Sequence, residues 1–136
     1  MSAETKQIMK RFYDEAINGR KLDVIDELAA ADLVEHEEFP GLAPGREGVK
    51  QFFAMLATAF PDFRMNVEDV IAEGDKGVVR ATLTGTHQGD FMGVPATGKT
   101  VSVTVIDIVR VTGGKVAEHW GATDMGAMME QLGVAS

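Results

Sequence analysis

The chain contains no cysteine among its 136 residues, which excludes disulfides, thiolate metal sites and a thiol nucleophile. Its three histidines are scattered without the spacing of metal ligands, so we expect no metal. Basic residues are also few, 13 Lys and Arg against 21 Asp and Glu, and the net charge of -8 disfavours binding to nucleic acid.

Long apolar runs are missing as well. No stretch approaches the ~20 residues that cross a bilayer, and the opening MSAETKQIMKRF is too polar for a signal peptide. We therefore predict no membrane partner and a cytoplasmic location. The composition, 45% hydrophobic and 25% charged, is typical of a globular protein, and the length predicts one domain over residues 1–136.

Helical periodicity dominates the first half of the chain. A one-sided apolar stripe predicts a first helix over Glu4–Ile17, and the period continues in a shorter helix over Leu22–Ala29. Residues 30–45 lose the periodicity and contain both Pro and Gly, which predicts an irregular segment. A third helix is predicted from about Arg46 to Phe60, where Pro61 stops it.

The second half alternates in the manner of strands. Four are predicted, followed by a short Met-rich helix: Arg64–Glu73, Val78–Thr86, Thr100–Val111, Lys115–Thr123 and then Met125–Leu132. Helices first and strands second predict an α+β fold with three N-terminal helices packed on a curved antiparallel sheet. Such a cone encloses an apolar pocket suited to a small hydrophobic molecule.

The strand Val101–Val111 carries the first candidate catalytic group. Its odd-numbered residues are all valine except Asp107, so one face is an apolar wall, which includes Val105, with a single acid. If this face points inward, Asp107 lies in apolar surroundings, where burial raises the pKa of a carboxylate unless a partner or hydrogen bonds compensate. Alternatively the strand is exposed on both faces and Asp107 reaches solvent near an edge.

The turn at residues 112–114 decides what lies across from Asp107. A three-residue loop with left-handed Gly114 pairs Asp107 with His119, whereas a two-residue Gly-Gly turn pairs it with Trp120. We favour the first register. It predicts an Asp107–His119 pair in the pocket, with His119 as a general base and Gly121 leaving space for a ligand. A purely structural ion pair is the alternative.

Other candidates have plainer alternatives. Asp124 precedes the last helix and is either its N-cap or a carboxylate at the pocket floor. His36 is either a surface residue among acids or a donor to an enolate oxygen at the cavity mouth. A metal held by its acidic neighbours Glu35, Glu37 and Glu38 is disfavoured because consecutive extended side chains diverge. Trp120 and Phe12 are pocket walls or core residues.

The glycine-rich stretch 85–99 lacks the spacing of a phosphate loop, so no nucleotide cofactor is expected. It begins a series of residues that runs to the C-terminus: Gly85-Thr86-His87, Gly89, Phe91, Gly93, Pro95, Thr97-Gly98-Lys99, Arg110, Gly114-Lys115, Glu118-His119-Trp120, Asp124 and Gln131-Leu132-Gly133. This series resembles the SnoaL-like polyketide cyclases of the NTF2-like fold group. The resemblance covers nearly the whole chain.

The resemblance implies an NTF2-like cone, a homodimer and an activity that needs no bound cofactor. In characterised cyclases of the family an aspartate on the last strand is the general acid/base of an intramolecular aldol condensation, with a histidine on the preceding strand. Those positions fall on Gly121 and Asp107 here. An acid has either moved between neighbouring strands, or the cyclase activity is absent.

We therefore expect a cofactor-independent enzyme that applies general acid/base chemistry to a small hydrophobic carbonyl substrate, as a cyclase, isomerase or lyase. A non-catalytic protein that binds a small ligand is the first alternative, and Gly121 favours it. A hydrolase of esters or epoxides is the second. The Thr104, Ile106 and Ile108 face needs cover, which also favours a homodimer.

Overall fold

Residues 2–37, 39 and 41–134 are described by the computed structural model of the chain. Within them lie four α-helices and five strands: α1 (Ser2–Arg11), α2 (Val24–Leu28), β1 (Ala29–Glu35), α3 (Gly45–Ala59), β2 (Arg64–Glu73), β3 (Lys76–Thr86), β4 (Thr100–Thr112), β5 (Lys115–Thr123) and α4 (Met125–Gln131). A π-helical turn, Phe12–Ile17, continues α1. No helix in the described part is long and apolar enough to cross a membrane.

The five strands form one sheet in the order β1-β5-β4-β3-β2. Strands β2 to β5 are antiparallel neighbours, as predicted, but β1 runs parallel to β5. The prediction of an irregular segment is therefore wrong for the part of it that forms β1, and a strand precedes the third helix. Only Ala29 and Leu33 of β1 are buried, so the strand lacks the apolar alternation that would have marked it.

The core lies between the helices and one face of the sheet. The valines of the odd-numbered face of β4 are buried there, and Asp107 among them is only 9% exposed, which confirms that this face points inward. Helix α3 contributes Leu56 and Ala59 to the same core, both fully buried. The predicted α+β architecture with a helix-covered curved sheet is confirmed.

The β4–β5 hairpin has a two-residue turn rather than the favoured three-residue loop. Thr112 pairs with Lys115, and Gly113 and Gly114 between them have φ values of +59° and +77°. Two successive left-handed residues match the right-handed twist of a hairpin, and glycine adopts that conformation without steric cost.

The pairing then shifts once along the hairpin. Arg110 pairs with Glu118 but Val111 pairs with Val116, so β5 has one extra residue at this point. Asp107 consequently lies across from Gly121, not from His119 or Trp120. Both predicted registers are wrong because hydrophobic alternation does not reveal a bulge.

Candidate active site

A cavity of about 450 Å³ lies between the helices and the concave face of the sheet. Its wall is mainly apolar, and four phenylalanines belong to it: Phe12, Phe39, Phe52 and Phe53. Val105 also lines it, as the sequence predicts. The wall includes neither Lys nor Arg among the described residues, so its charged groups are carboxyls and one imidazole.

Four polar side chains of the cavity wall form a continuous hydrogen-bonded chain. Tyr13, on the π-helical turn, donates its hydroxyl to Asp107 Oδ2. His119 Nε2 lies 2.8 Å from Asp107 Oδ1, and His119 Nδ1 lies 2.5 Å from Glu35 Oε1. The predicted Asp107–His119 contact thus exists, but as a diagonal contact between residues that are not paired on the strands.

The surroundings of His119 fix its protonation state. An ionised carboxylate only accepts hydrogen bonds, so both ring nitrogens must carry a proton to satisfy Asp107 and Glu35. Burial by itself would lower the pKa of His119, but the hydrogen bonds to the two carboxylates raise it to about 10. His119 is therefore a cation at neutral pH, and the hypothesis that it is the general base does not fit this geometry.

Tyr13 is a neutral hydrogen-bond donor in this chain. Its side chain is buried, and burial, followed by the negative charge of Asp107, raises its pKa well above the ordinary value. Asp107 thus accepts one hydrogen bond at each carboxylate oxygen, from Tyr13 and from His119. A buried carboxylate held at both oxygens is fixed in orientation.

Glu37 is the remaining acid at the cavity wall. Thr123 Oγ1 donates to its Oε2 atom at 3.2 Å. Burial, and then the negative charge of Asp107, raise the pKa of Glu37. Its carboxyl group belongs to the same cluster, since ligand-type atoms of Glu37, Asp107 and His119 lie within 4.8 Å of one another.

The spacing of these three residues could also hold a metal ion. Two carboxylates and one imidazole are a reasonable donor set for a divalent ion. His119 Nε2, however, already faces Asp107 with a proton between them, and coordination would require its loss. The arrangement suits proton transfer and charge stabilisation better than metal binding.

Gly121 lies at the centre of the cluster, opposite Asp107 on the neighbouring strand. A Cβ atom at this position would collide with Glu37 Oε1 and would lie 2.8 Å from both Asp107 Oδ1 and His119 Cε1. Its backbone is not left-handed, so a side chain is disfavoured here only by space, because a Cβ atom would force the side chains of the cluster to shift. The sequence predicts that Gly121 leaves space for a ligand, but in the structure the Glu37 carboxylate occupies the space beside Gly121.

Two predicted site residues lie on the opposite face of the sheet. His36 Nε2 donates to Glu118 Oε2 at 2.7 Å, and the His36 ring stacks on Trp120 with ring centroids 4.9 Å apart. Neither residue lines the cavity. The hypotheses of Trp120 as a pocket wall and His36 as a donor to an enolate oxygen are therefore corrected, since alternation along each strand points both side chains outward.

Asp124 is exposed and accepts a hydrogen bond from the backbone N–H of Ala127 at 3.0 Å. It is the N-cap of α4, which confirms the simpler of the two interpretations. Phe12 lies in the cavity wall as predicted. Of the acidic neighbours of His36, Glu38 lies outside the described residues.

Sequence reasoning missed Tyr13, Glu35 and Glu37 as site residues. The missing signal is the strand β1, which brings Leu33 and Glu35 to the cavity wall. Glu37 follows in the same phase just after the strand ends, and His36 N–H donates to His119 O. If β1 had been recognised in the sequence, Glu35 and Glu37 would have been predicted as site residues in place of His36.

Comparison with known proteins gives a consistent result. The model of the SnoaL-like polyketide cyclase family matches residues 7–132. Aklanonic acid methyl ester cyclase DauD of Streptomyces sp. (strain C5) is 32% identical over 128 residues, covering 88% of this chain and 76% of that protein. The family resemblance predicted from the sequence is confirmed, and the relative supports a cyclase-like enzyme.

Solved structures agree on the fold. TsrD from Streptomyces laurentii superposes with a TM-score of 0.88 at 30% identity, covering 98% of this chain and 97% of that one. AclR from Streptomyces galilaeus, described as a proposed hydroxylase, has a TM-score of 0.85 at 32% identity and covers 98% of each chain. The NTF2-like fold is thus confirmed, while the activities ascribed to such neighbours differ.

Proposed function

Since the chain belongs to the SnoaL-like polyketide cyclase family, we propose that it closes a ring in a hydrophobic polyketide ester by an intramolecular aldol reaction, without a cofactor. One observation carries this proposal. An apolar cavity has in its wall a hydrogen-bonded chain of Tyr13, Asp107, His119 and Glu35, in which a cation is held between two carboxylates. Such a chain is pre-organised to stabilise developing charge.

The reaction needs only proton transfer and charge stabilisation. A base removes a proton beside one carbonyl, the enolate carbon attacks a second carbonyl of the same molecule, and the resulting alkoxide takes up a proton. All atoms of the substrate are retained and no electrons are exchanged with another molecule. The His119 cation stabilises the enolate and alkoxide oxygens electrostatically.

The cavity favours an uncharged substrate. Its charged groups are three carboxyls, Glu35, Glu37 and Asp107, and the single cation His119, which two of them already neutralise. The apolar wall fits the fused or aromatic rings of a polyketide. A methyl ester of the kind named for the relative DauD, aklanonic acid methyl ester, meets both requirements.

The proposal is tested by incubating the purified protein, pretreated with EDTA, with aklanonic acid methyl ester and following the mixture by liquid chromatography and mass spectrometry. We expect a new product of unchanged mass, because ring closure by aldol addition is an isomerisation. The outer-face variant Glu118→Gln serves as a control that should match the unmodified protein, since Glu118 does not line the cavity.

Three other results would each point to a different activity. Tight binding without conversion would support the ligand-binding alternative. A product that has added one water molecule, with its oxygen taken from labelled solvent, would support a hydrolase of esters or epoxides. A product that gains one oxygen atom from dioxygen would indicate hydroxylation, and each of these results contradicts the cyclase proposal for this substrate.

We further propose that two copies of the chain associate through the outer face of the sheet. A row of apolar residues crosses four neighbouring strands there, since Ile71 pairs with Val78, Val78 with Ile108 and Ile108 with Trp120. Ile71 is 64% exposed. A contiguous apolar stripe on the outer face of a sheet is typical of a twofold symmetric dimer, in which the same surface of each copy forms the interface.

Sedimentation equilibrium should therefore give twice the chain mass of 14.6 kDa at micromolar concentration. The substitution Ile108→Glu is expected to shift the protein to the monomer, because it places a charge within the proposed interface. Thr104→Glu, at the exposed margin of the same face, is the matched control and should dissociate the dimer less. A monomeric unmodified protein would contradict the proposal.

The cytoplasmic location stays a prediction.

A further inference from the structure

We propose that Glu37 is the base that removes the substrate proton, and that Gly121 is glycine because the Glu37 carboxylate fills the space of a side chain there. This inference rests on the proposed acid/base function and names the group that performs its first step. It moves the general base from the β4–β5 hairpin to the segment that follows β1.

Glu37 is the one described acid of the cluster that accepts no hydrogen bond from His119. Asp107 accepts from Tyr13 at one oxygen and from His119 at the other. Glu35 Oε1 accepts from His119 and also from the backbone N–H of Glu37 at 2.9 Å. Glu37 accepts at Oε2 from Thr123 alone, while its Oε1 atom is directed at Gly121 in the centre of the cluster.

The space around Gly121 gives an independent line of support. A Cβ atom there would collide with Glu37 Oε1, so a side chain at 121 and the observed position of Glu37 exclude each other. Because Gly121 pairs with Asp107, the Glu37 oxygen enters the cluster between two strands that carry its other members. An acid therefore reaches the centre of the site from the β1 side, although β5 has none at that position.

The electrostatics agree with this role. Burial and the negative charge of Asp107 raise the pKa of Glu37, while His119 and Thr123 oppose the shift. A carboxylate with a raised pKa is a stronger base than an ordinary one, and proton transfer is most efficient when the pKa of the base approaches the working pH. His119, as a cation, is not able to compete for the substrate proton.

The proton balance closes within the site. The Glu37 carboxylate takes the proton from the carbon beside the carbonyl, and the electron pair moves onto the carbonyl oxygen as an enolate. After the enolate carbon bonds to the second carbonyl carbon, the new alkoxide takes the proton from the neutral Glu37 carboxyl. Glu37 returns to its carboxylate form, and His119 stays protonated throughout.

The first test is Glu37→Gln, which keeps the size of the side chain and removes its basicity. With aklanonic acid methyl ester we expect kcat to fall by about 10²–10⁴-fold with little change in KM. Loss of the substrate proton to D2O, followed by proton NMR, should slow in parallel. The melting temperature should be unchanged or raised, because a buried charge has been removed.

The outcomes separate this inference from the proposed function. If the unmodified protein converts the ester and Glu37→Gln does so at the same rate, Glu37 is not the base and the cyclase proposal survives. If the unmodified protein neither converts the ester nor exchanges its proton, the proposed function falls and the base assignment with it. Glu118→Gln controls for the loss of an acid outside the cavity.

The second test needs no substrate. Gly121→Ala is compared by thermal melting in the unmodified chain and in the Glu37→Ala background. We expect the alanine to lower the melting temperature clearly when Glu37 is present and markedly less when Glu37 is truncated, because part of the collision has been removed. Equal losses in both backgrounds would overturn the account of Gly121.

Discussion

Replacement of Asp107 by Asn is expected to lower kcat/KM for aklanonic acid methyl ester by about 10²–10³-fold, the usual loss when one charge-stabilising group is removed. Asp107 accepts hydrogen bonds from Tyr13 and from His119 at its two oxygens, and an asparagine has only one oxygen to accept with. One donor must then face the amide NH2 group or lose its partner. The negative charge that holds His119 in its protonated form is lost as well.

The companion measurement is the NMR titration of His119 in the unmodified protein and in Asp107→Asn. We expect a midpoint near the pKa of about 10 in the first and a clearly lower midpoint in the second. The groups that face this imidazole are Asp107 on β4, Glu35 on β1 and Glu37 beyond it. An ordinary titration that is unaffected by the substitution would contradict the whole electrostatic account of the cluster.

The same pKa determines how stability should depend on pH. The pKa of His119 in the folded protein, about 10, lies above its value in an unfolded chain, which is about 6.5. The contribution of the protonated imidazole is therefore fully present below pH ~6.5 and is lost as pH rises towards ~10. Asp107→Asn should reduce the part of this pH dependence that lies above neutrality.

Replacement of His119 tests whether the site needs the positive charge of the imidazole. His119→Ala removes the cation and leaves Asp107 and Glu35 as neighbouring buried carboxylates without their shared partner. We expect loss of turnover comparable to that of Asp107→Asn, together with a lower melting temperature because unpaired buried charges are costly. Full activity in either variant, with folding intact, would contradict the proposed role of the Asp107–His119 pair.

Much of the fold follows from the sequence because its signals are local. The stripe of apolar residues on α3 and the alternation along β4 each report burial on one side of an element, and both are observed. Asp107 could be placed in the cavity from alternation alone. The strand β1 could not be found in this way because its stability comes from parallel pairing with β5, a contact distant in sequence.

The positions of the site residues depend on two features of the backbone that the hydrophobic periodicity of the sequence does not reveal. One is the extra residue of β5 near Val116, which shifts His119 away from Asp107 in the ladder and brings Gly121 opposite it. The other is the phase of the chain leaving β1, which turns Glu37 inward and His36 outward. The Asp107–His119 contact was predicted correctly from a wrong register, because a long side chain reaches a diagonal neighbour.

Discrimination between an ester and the corresponding free acid is the second large effect that we expect. The free acid of the substrate should react with kcat/KM at least about 100-fold lower than its methyl ester, because placing like charges together costs several kcal/mol and each 1.4 kcal/mol is a factor of ten. The described cavity wall offers no Lys or Arg to pair with a substrate carboxylate. Its one cation, His119, is already shared by Asp107 and Glu35.

A charge placed in the cavity wall tests this explanation directly. Leu42 is a half-buried residue of the wall, and Leu42→Lys should narrow the preference for the ester by improving the reaction of the free acid. Leu42→Gln is the matched control, similar in length but uncharged, and should leave the preference unchanged. A higher salt concentration should narrow the preference for the ester only slightly, because buried charges are poorly screened. If the free acid reacts as fast as the ester in the unmodified protein, discrimination does not come from the charge of the cavity, and the carboxyl group of the substrate lies in solvent.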